Sequence, residues 1–452
     1  MAGFCASATT SAFEGRSMTR VVYSISLYLT LPFFMARLLW RGIRNRGYWR
    51  RIGERFGFAP AAPADRKRGS SEIDPKPIWI HAVSLGEVQA AVPIIEALRE
   101  RHPRISMIVT TTTPTGMEHI VRIFGAGVVH RYLPFDLPGA VARFLRDIRP
   151  QAGVIMETEI WPNLLAACRA QRIPVMLANA RLSGRSAKGY RRLPRLFIPA
   201  MRGFSCILAQ SEDDARRLIS IGASASDVEV GGNTKFDIRL PDDLGERASR
   251  LRAKWGAGRG VLVAASTHEG EEERVLEAFE AVLARYPKTL LVLVPRHPER
   301  FDKVAAVVKG HGFSLSRRSH PHEEGGESQV FLADSMGELP LFLAAGDIAF
   351  IGGSLVEIGG HNSLEAAAVG RPVLFGPHLF NFAGISRDLI AAGAAKRVCD
   401  APALGREVVS WLDDPQGRRD AGERGRAFVA ANRGARDRIV AAIERLADLD
   451  RK

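Results

Sequence analysis

The chain has 452 residues, more than one hydrophobic core usually supports, so its length predicts two or three domains. With 46% hydrophobic and 25% charged residues, the composition is that of an ordinary globular protein and excludes a largely disordered chain. The chain has 63 Lys and Arg residues and 49 Asp and Glu residues, which gives a net charge of +14. This charge favours an anionic partner, which could be nucleic acid, acidic lipid or phosphorylated metabolites.

The first predicted element is an apolar stretch near the N-terminus. Residues 21–36 carry no charge, and together with residues 38–40 they approach the ~20 residues that cross a bilayer as a helix. More arginines follow this stretch than precede it, which places the rest of the chain in the cytoplasm. We therefore expect an unstructured tail over residues 1–17 and a membrane anchor helix over residues 18–45. A helix lying in the membrane plane is the alternative.

The rest of the chain alternates between short apolar runs and helical stretches. Residues 46–77 are predicted to be a basic linker. The alternation begins at residue 78 and starts again near residue 261, which is typical of βαβ units around parallel sheets. We expect two Rossmann-like domains facing a cleft, over residues 78–234 and 235–452, the second including a long C-terminal helix. The predicted strands are residues 78–82, 107–111, 154–156, 175–178, 206–209, 261–265, 290–294, 330–332, 348–351 and 373–375.

Several common sites are excluded because their motifs are missing. Neither half has Gly-x-Gly-x-x-Gly after its first strand, and Gly-x-x-x-x-Gly-Lys-Ser/Thr occurs nowhere, so a dinucleotide dehydrogenase and a P-loop enzyme are not expected. The four cysteines stand far apart without metal-ligand spacing, which argues against a zinc site and a disulfide framework and indicates a reducing compartment.

Polar residues cluster where the predicted strands end. The first cluster, His81-Ala-Val-Ser-Leu-Gly-Glu87, places Glu87 at a strand-to-helix junction, where open α/β sheets bind their ligands. The alternative is structural, because Ser84 and Glu87 have the spacing of a helix capping box. Further clusters follow later strands, at residues 156–163, 179–183, 232–237, 266–271, 294–298, 335–338 and 359–365.

These clusters resemble the motifs of the bacterial Kdo transferases. These membrane-bound glycosyltransferases move 3-deoxy-D-manno-oct-2-ulosonic acid (Kdo) from CMP-Kdo to the lipid A precursor. The segments that carry the resemblance are residues 81–87, 156–163, 295–300 and 360–365. The resemblance implies an α/β fold of the glycosyltransferase B type, with the acceptor bound by the first domain and the nucleotide by the second. It also implies a location on the cytoplasmic side of the cell inner membrane.

The resemblance also implies roles for individual residues. Glu87 matches the proton acceptor, and Glu157 and Lys235 match positions that stabilise the transition state. Ser363 departs from the pattern, since Pro is common there in relatives. The positions that match the CMP-binding segments are Pro295, Arg296, Met336, Gly337, Glu338, Asn362, Ser363, Leu364 and Glu365. Because CMP carries one phosphate, no metal or other cofactor is expected.

The expected partners are CMP-Kdo, a phosphorylated lipid A precursor and membrane lipids. A basic and apolar stretch over residues 181–197 is predicted to lie on acidic headgroups, with an ordinary solvated helix face as the alternative. A nucleic-acid partner is not expected, because acidic residues occupy the strand ends. Two other functions stay open: a UDP-sugar-dependent lipid glycosyltransferase of the same fold, and a non-catalytic, membrane-tethered nucleotide-binding protein.

Overall fold

A computed structural model describes residues 7–59, 76–256, 258–320 and 328–449, with side chains from residue 18 onward. The chain divides into two compact units: Met1–Asp237 with Gly434–Lys452, and Ile238–Arg433. Each unit is built on a parallel sheet of seven strands. The expectation of two doubly wound α/β domains is therefore confirmed.

The first unit is organised around its central strand. Its strands are β1 (Ile78–His81), β2 (Met107–Thr111), β3 (Val129–Tyr132), β4 (Ala152–Met156), β5 (Val175–Ala180), β6 (Cys206–Ala209) and β7 (Val228–Val230), in the order β3-β2-β1-β4-β5-β6-β7. β1 pairs with β2 and β4. All four residues of β1 are buried, because both faces of a central parallel strand are covered.

Helices cover both faces of this sheet. They are α2 (Leu85–Arg101), α3 (Pro114–Phe124), α4 (Pro138–Ile148), α5 (Pro162–Ala170), α6 (Gly184–Tyr190), α7 (Pro194–Met201) and α8 (Glu212–Ser220). Alternate residues of β1 enter different apolar clusters: Ile78 and Ile80 pack in the cluster of α2, whereas Trp79 packs with Phe144 of α4. The alternation follows from the opposite directions of successive side chains in a strand.

The N-terminal segment packs on the first unit. Helix α1 spans Ser7–Arg44, so residues 7–17 of the expected tail are helical, while residues 1–6 lie outside the described residues. Short 3₁₀ helices follow at Arg46–Tyr48 and Ile52–Phe56. Glu54 is buried and accepts a hydrogen bond from the Tyr132 backbone N–H at 2.8 Å. Residues 46–58, expected as linker, are thus part of the unit, and residues 60–75 of that linker lie outside the described residues.

The second unit repeats the arrangement. Its strands are β8 (Val261–Thr267), β9 (Leu290–Pro295), β10 (Leu315–Arg317), β11 (Val330–Leu332), β12 (Ile348–Ile351), β13 (Val373–Phe375) and β14 (Ala395–Arg397), in the order β10-β11-β9-β8-β12-β13-β14. Its helices are α9 (Leu244–Trp255), α10 (Glu272–Arg285), α11 (Phe301–Gly310), α12 (Leu339–Ala345), α13 (Leu364–Ala368), α14 (Ala383–Ala391), α15 (Ala401–Asp413) and α16 (Pro415–Ala431).

The four strands that the sequence did not predict are the outer strands of the two sheets. They are β3 and β7 in the first unit and β10 and β14 in the second. Each has three or four residues and carries charged or polar side chains, as in Ala-Lys-Arg of β14. An outer strand has one neighbour and is less covered, so it lacks the continuous apolar run that identifies a central strand.

The last helix belongs to the first unit. α17 (Ala435–Leu446) places Ile439, Val440 and Ile443 in the apolar cluster that also contains α2. The amphipathic spacing predicted such packing, but the C-terminal helix was expected within the second domain. The structure places this helix in the first unit instead, because the apolar face of α17 completes the core on one side of the first sheet.

Candidate active site

Glu87 lies in the first turn of α2, directly beyond the end of β1. The Glu87 carboxylate accepts a hydrogen bond from the Val83 backbone N–H at 2.8 Å and one from the Ser84 hydroxyl at 3.2 Å. The Ser84 hydroxyl oxygen in turn accepts from the Glu87 backbone N–H at 3.4 Å. The capping arrangement predicted as the structural alternative is therefore present. The same bonds hold the carboxylate in one position at the carboxyl edge of the sheet.

The protonation of Glu87 is unusual for a carboxylic acid. Burial raises the pKa of Glu87 to about 7, and the carboxylates of Glu157 and Glu159 raise it as well, against the lowering effect of the bonds from Val83 and Ser84. Burial also raises the pKa of Glu159. A group with a pKa near neutrality accepts and releases protons at physiological pH, which is the property required of a general base.

Glu157 follows β4, the strand that pairs with β1. Its backbone has a φ of 59°, a left-handed conformation that is uncommon for a residue with a Cβ atom. Arg181 Nε donates a hydrogen bond of 2.7 Å to Glu157 Oε2. Glu157 thus carries a paired negative charge at the same sheet edge as Glu87.

Lys235 lies in the 3₁₀ helix Thr234–Phe236, which follows β7. Asn179 at the end of β5 accepts a hydrogen bond from the Thr234 backbone N–H at 3.2 Å. Asn233 accepts one from the Lys235 backbone N–H at 3.0 Å and donates one to Gln210 after β6 at 2.9 Å. These bonds fix the segment that carries Lys235 against the carboxyl edge of the first sheet.

The charge of Lys235 is coupled to two neighbours. Burial lowers the pKa of Lys235, nearby Glu157 raises it, and Arg181 lowers it. Glu157, Arg181 and Lys235 therefore form one charged group. The structure brings together the three predicted catalytic residues of the first unit, since Glu157 influences both Glu87 and Lys235.

Asp237 connects this segment to α17. Its carboxylate accepts hydrogen bonds from the backbone N–H groups of Gly434 and Arg436, both at 2.6 Å. The unpaired N–H groups at the start of a helix favour such an anionic partner. The position of α17 thus supports the segment that carries Lys235 two residues earlier.

In the second unit, Arg296 and Glu365 are electrostatic neighbours. Arg296 follows Pro295, the last residue of β9, and its backbone N–H donates to the Thr267 carbonyl oxygen at 3.0 Å. Burial raises the pKa of Glu365, whereas the hydrogen bond from Asn362, 3.3 Å long, and the charge of Arg296 lower it. Two of the predicted nucleotide-binding segments therefore meet at the carboxyl edge of the second sheet.

The residues between Asn362 and Glu365 are buried. Leu364 is fully buried, and the buried Ser363 hydroxyl has no hydrogen-bond partner among the described residues. The Asn362 side-chain oxygen accepts a hydrogen bond from the Leu364 backbone N–H at 3.1 Å. The Leu364 side chain therefore belongs to the core, and a ligand contact from this residue would have to involve its backbone.

Glu338 forms an ion pair with Arg318. Its carboxylate accepts hydrogen bonds from Arg318 at 2.9 and 3.0 Å and from the Ser335 hydroxyl at 2.6 Å, and Arg318 holds its pKa below the usual range. Met336 is 58% exposed, and Gly337 has a φ of 83° that favours glycine. The exposed part of this segment is therefore Met336 and Gly337, while Glu338 orders it.

Three histidines surround Arg296. His268, His297 and His361 follow the adjacent strands β8, β9 and β12, and the Nε2 atoms of His268 and His361 are 2.7 Å apart. The rings of His268 and His297 are 5.4 Å apart between centroids. Burial lowers the pKa of His361 to about 4, and it also lowers that of His268. His361 is therefore neutral at physiological pH.

The sequence did not assign a role to this histidine cluster. The available signal was positional for two of them, because His268 and His297 come one and two residues after the ends of β8 and β9. Glu271 was also missed: it is fully buried and accepts hydrogen bonds from the backbone N–H groups of residues 353–355 at 2.7 to 3.0 Å. It thereby fixes the loop that leads from β12 to His361.

Neither edge provides a cluster of ligands for a metal ion. Within the described ranges, no group of three or more His, Cys, Asp and Glu side chains is arranged to hold one. The first edge offers a proton acceptor with a pKa near 7 beside a paired carboxylate and a half-buried ammonium group. The second edge offers a guanidinium group, imidazoles and a half-buried carboxylate, which are suited to recognising a phosphate and hydroxyl groups.

Sequence comparison identifies the family. Residues 50–238 match the family described as 3-deoxy-D-manno-octulosonic-acid transferase (kdotransferase). A 3-deoxy-D-manno-octulosonic acid transferase of Haemophilus influenzae is 39% identical over 424 residues, which cover 94% of this chain and 97% of that protein. One of Bordetella pertussis is 40% identical over 444 residues, covering 94% of this chain and 99% of the relative.

Structural comparison agrees on the fold. The solved structure of UDP-GlcNAc 2-epimerase from Neisseria meningitidis bound to UDP-GlcNAc covers 81% of this chain and 99% of its own, with a TM-score of 0.54 and 16% identity. At that identity the likeness concerns the architecture alone, which is that of the glycosyltransferase B type. The identity to the transferases extends over nearly the whole chain, and we conclude that it belongs to the family of 3-deoxy-D-manno-octulosonic acid transferases, which are glycosyltransferases.

Proposed function

We propose that this enzyme transfers Kdo from CMP-Kdo to a hydroxyl group of a phosphorylated lipid A precursor, with inversion at the anomeric carbon. The observation that carries the proposal is the state of Glu87, whose carboxylate is fixed by Val83 and Ser84 and has a pKa of about 7. A sugar hydroxyl is a weak nucleophile until a positioned base accepts its proton. Family membership supplies the reaction in which such a base is needed.

The proposed reaction is a single displacement. The acceptor oxygen forms a bond to the anomeric carbon of Kdo while the bond from that carbon to the phosphate oxygen of CMP breaks. The electron pair of the broken bond leaves with CMP, and the proton of the hydroxyl passes to Glu87. Two terms oppose each other at Glu87: the start of α2 favours the carboxylate, whereas burial and two neighbouring carboxylates favour the acid. Burial is the larger effect, so the ionised form is a stronger base than an exposed glutamate.

Glu157 and Lys235 are assigned to stabilising charge in the transition state. The developing sugar cation and the departing phosphate need opposite charges, and Glu157, Arg181 and Lys235 supply both signs within one coupled group. Glu157 and Lys235 are half-buried, so water screens their charges less than it screens those of exposed groups. The support from Asp237 and Asn179 keeps Lys235 in place before the substrates bind.

The second unit is assigned to the donor. We infer that Arg296 meets the CMP phosphate, that Glu365 accepts hydrogen bonds from the ribose hydroxyls, and that Pro295, Met336, Gly337 and Glu338 line the nucleotide with residues 362–364. The support is the coupling of Arg296 to Glu365 and to the histidine cluster at one sheet edge. A single phosphate gives no diphosphate chelate for a divalent ion, so we propose that no metal is required.

We also propose that α1 attaches the enzyme to the cell inner membrane with both units on the cytoplasmic side. Residues Met18–Arg44 form a helix long and apolar enough to cross a bilayer, with a mean hydropathy of 1.5. The arginines that follow residue 36 support the cytoplasmic location. In the stretch over residues 181–197 all the arginines are exposed, and Arg181 also pairs with Glu157.

The test is the substitution Glu87→Gln, assayed by mass analysis of the product from CMP-Kdo and a lipid A precursor. Gln retains an oxygen that accepts from Val83 but cannot take the proton, so we expect turnover to fall by a factor of about 10²–10⁴. CMP binding should be unchanged. Near-normal turnover would refute the assignment of Glu87 as the base. Inhibition of transfer by UDP and not by CMP would refute CMP-Kdo as the donor.

A matched control is available on α8. Ser211 and Asp214 repeat the arrangement of Ser84 and Glu87, since the Ser211 oxygen accepts from the Asp214 backbone N–H at 3.2 Å and its hydroxyl donates back at 2.5 Å. Asp214→Asn therefore perturbs an equivalent cap in the same unit. We expect this variant to keep its turnover, which separates loss of a base from loss of a cap.

A further inference from the structure

The first unit contains a cavity that the proposed reaction does not use. It has a volume of about 500 Å³ and lies between α5, α7 and α1. Its lining combines apolar side chains, including Leu165, Leu196 and Ile198, with the arginines Arg20, Arg169, Arg195 and Arg202. Such a lining suits a ligand with an anionic group and an apolar part.

Three of these arginines make no polar side-chain contact among the described residues. Arg169, Arg195 and Arg202 form no ion pair or side-chain hydrogen bond among the residues that the structure describes, and all three are exposed. Only Arg20 has an acidic neighbour, because it lowers the pKa of Asp136. Guanidinium groups present several donors in a planar fork, a geometry that matches phosphate oxygens. The cavity therefore has unused capacity to bind an anion.

Helix α1 contacts the first unit. Among the side chains that the structure describes, the half-buried residues of α1 recur every three or four positions and so share one face: Thr19, Tyr23, Leu27, Leu31, Met35 and Leu38. The Tyr23 hydroxyl donates to Asp136 at 3.1 Å, and α1 contacts both α5 and α7. At the other end, the buried Gly42 packs against the ring of Trp49.

The remaining surface of α1 is exposed and apolar. Leu29 is 76% exposed and Phe33 is 68% exposed, and Val22, Trp40 and Ile43 are exposed as well. A continuous apolar surface of this length, flanked by arginines, is typical of a helix in contact with membrane lipid. Arg20 belongs to this helix and lines the cavity, so the cavity opens beside the apolar surface.

We propose that the cavity binds the anionic headgroup of a bilayer phospholipid. The proposal rests on the membrane attachment included in the proposed function and adds a lipid site to it. The occupant is a membrane lipid and not a soluble phosphate, because apolar residues share the lining with the arginines and the exposed face of α1 adjoins it.

The test uses the full-length protein and vesicle flotation without substrates. Vesicles contain phosphatidylcholine alone or phosphatidylcholine mixed with phosphatidylglycerol. We expect the triple variant Arg169→Gln, Arg195→Gln, Arg202→Gln to bind the mixed vesicles about 100-fold more weakly, at about fivefold for each charge removed, and to bind phosphatidylcholine as the unmodified protein does. A matched triple variant removes exposed arginines of the same unit that lie outside the cavity: Arg104→Gln, Arg122→Gln and Arg146→Gln.

Each outcome decides the proposal. An equal loss of vesicle binding in the two triple variants would show a general effect of charge and would overturn the proposal. Competition of inorganic phosphate with the mixed vesicles, at equal concentrations of phosphate groups, would also overturn it. Replacement of the three arginines by lysine keeps the charge and the solubility, and an intermediate loss is expected because the planar fork is missing. Since binding is measured without substrates, a failed transferase assay would leave this result unaffected.

Discussion

The pKa of Glu87 predicts the pH dependence of the reaction. If a base with a pKa of about 7 limits the rate, kcat/KM for the acceptor should fall about tenfold between pH 8 and pH 6, because the ionised fraction falls from about 0.9 to about 0.1. A glutamate with its ordinary pKa of about 4.3 would stay almost fully ionised over this range. The measurement is the initial rate at low acceptor and saturating donor concentrations.

Two observations check the origin of this acid limb. Glu159→Gln removes one of the charges that raise the pKa of Glu87, so the midpoint should move to lower pH, by less than the contribution of burial. His361, with its pKa lowered to about 4, does not titrate between pH 6 and pH 8 and so should not contribute to this acid limb. A flat profile from pH 6 to pH 8, or a midpoint that Glu159→Gln leaves in place, would refute the reasoning.

The same shift has a consequence for stability. The folded-state pKa of Glu87 lies above its ordinary value, so the folded protein binds the proton more tightly than the unfolded chain does. The ionised carboxylate therefore destabilises the first unit, and its melting temperature should rise as the pH falls from 8 toward 5. In Glu87→Gln this rise should be smaller. An equal rise in both proteins would contradict the sign.

Two further predictions concern the surroundings of the site. Asp237→Ala removes the acceptor of the N–H groups of Gly434 and Arg436. We expect a loss of about 1 kcal/mol in unfolding free energy, measured by thermal melting. We also expect a lower kcat, measured from initial rates, because the segment that carries Lys235 loses its support. An unchanged kcat would show that Lys235 does not depend on this contact. Transfer should continue in excess EDTA, and a loss that magnesium restores would count against the metal-independent reaction.

The central part of the fold could be predicted from the sequence because its strands contain runs of apolar residues. Residues 78–80 and 348–351 are such runs, since both of their faces are covered. The outer strands gave no such signal. The position of α17 could not be predicted either, because an amphipathic pattern shows that a face is buried but not against which unit.

The candidate site was predictable in its residues but not in its contacts. Glu87, Glu157 and Lys235 are separated by about 70 or more positions in the sequence, and only the pairing of β1 with β4 and the return of the chain after β7 bring them to one edge. The engagement of Glu338 with Arg318 could not be anticipated, since Arg318 has no motif of its own. The same holds for the contact between His268 and His361, which depends on β8 lying beside β12.

The path of the chain has a practical consequence. Because Gly434–Lys452 belongs to the first unit, the second unit is an insertion within the first and not a module appended to its end. Deletion of these residues would expose the apolar side of α2 and parts of β4 and β5 to water. A shortened chain that ends after Arg433 would thus harm the half of the enzyme that lies furthest from the deletion in sequence.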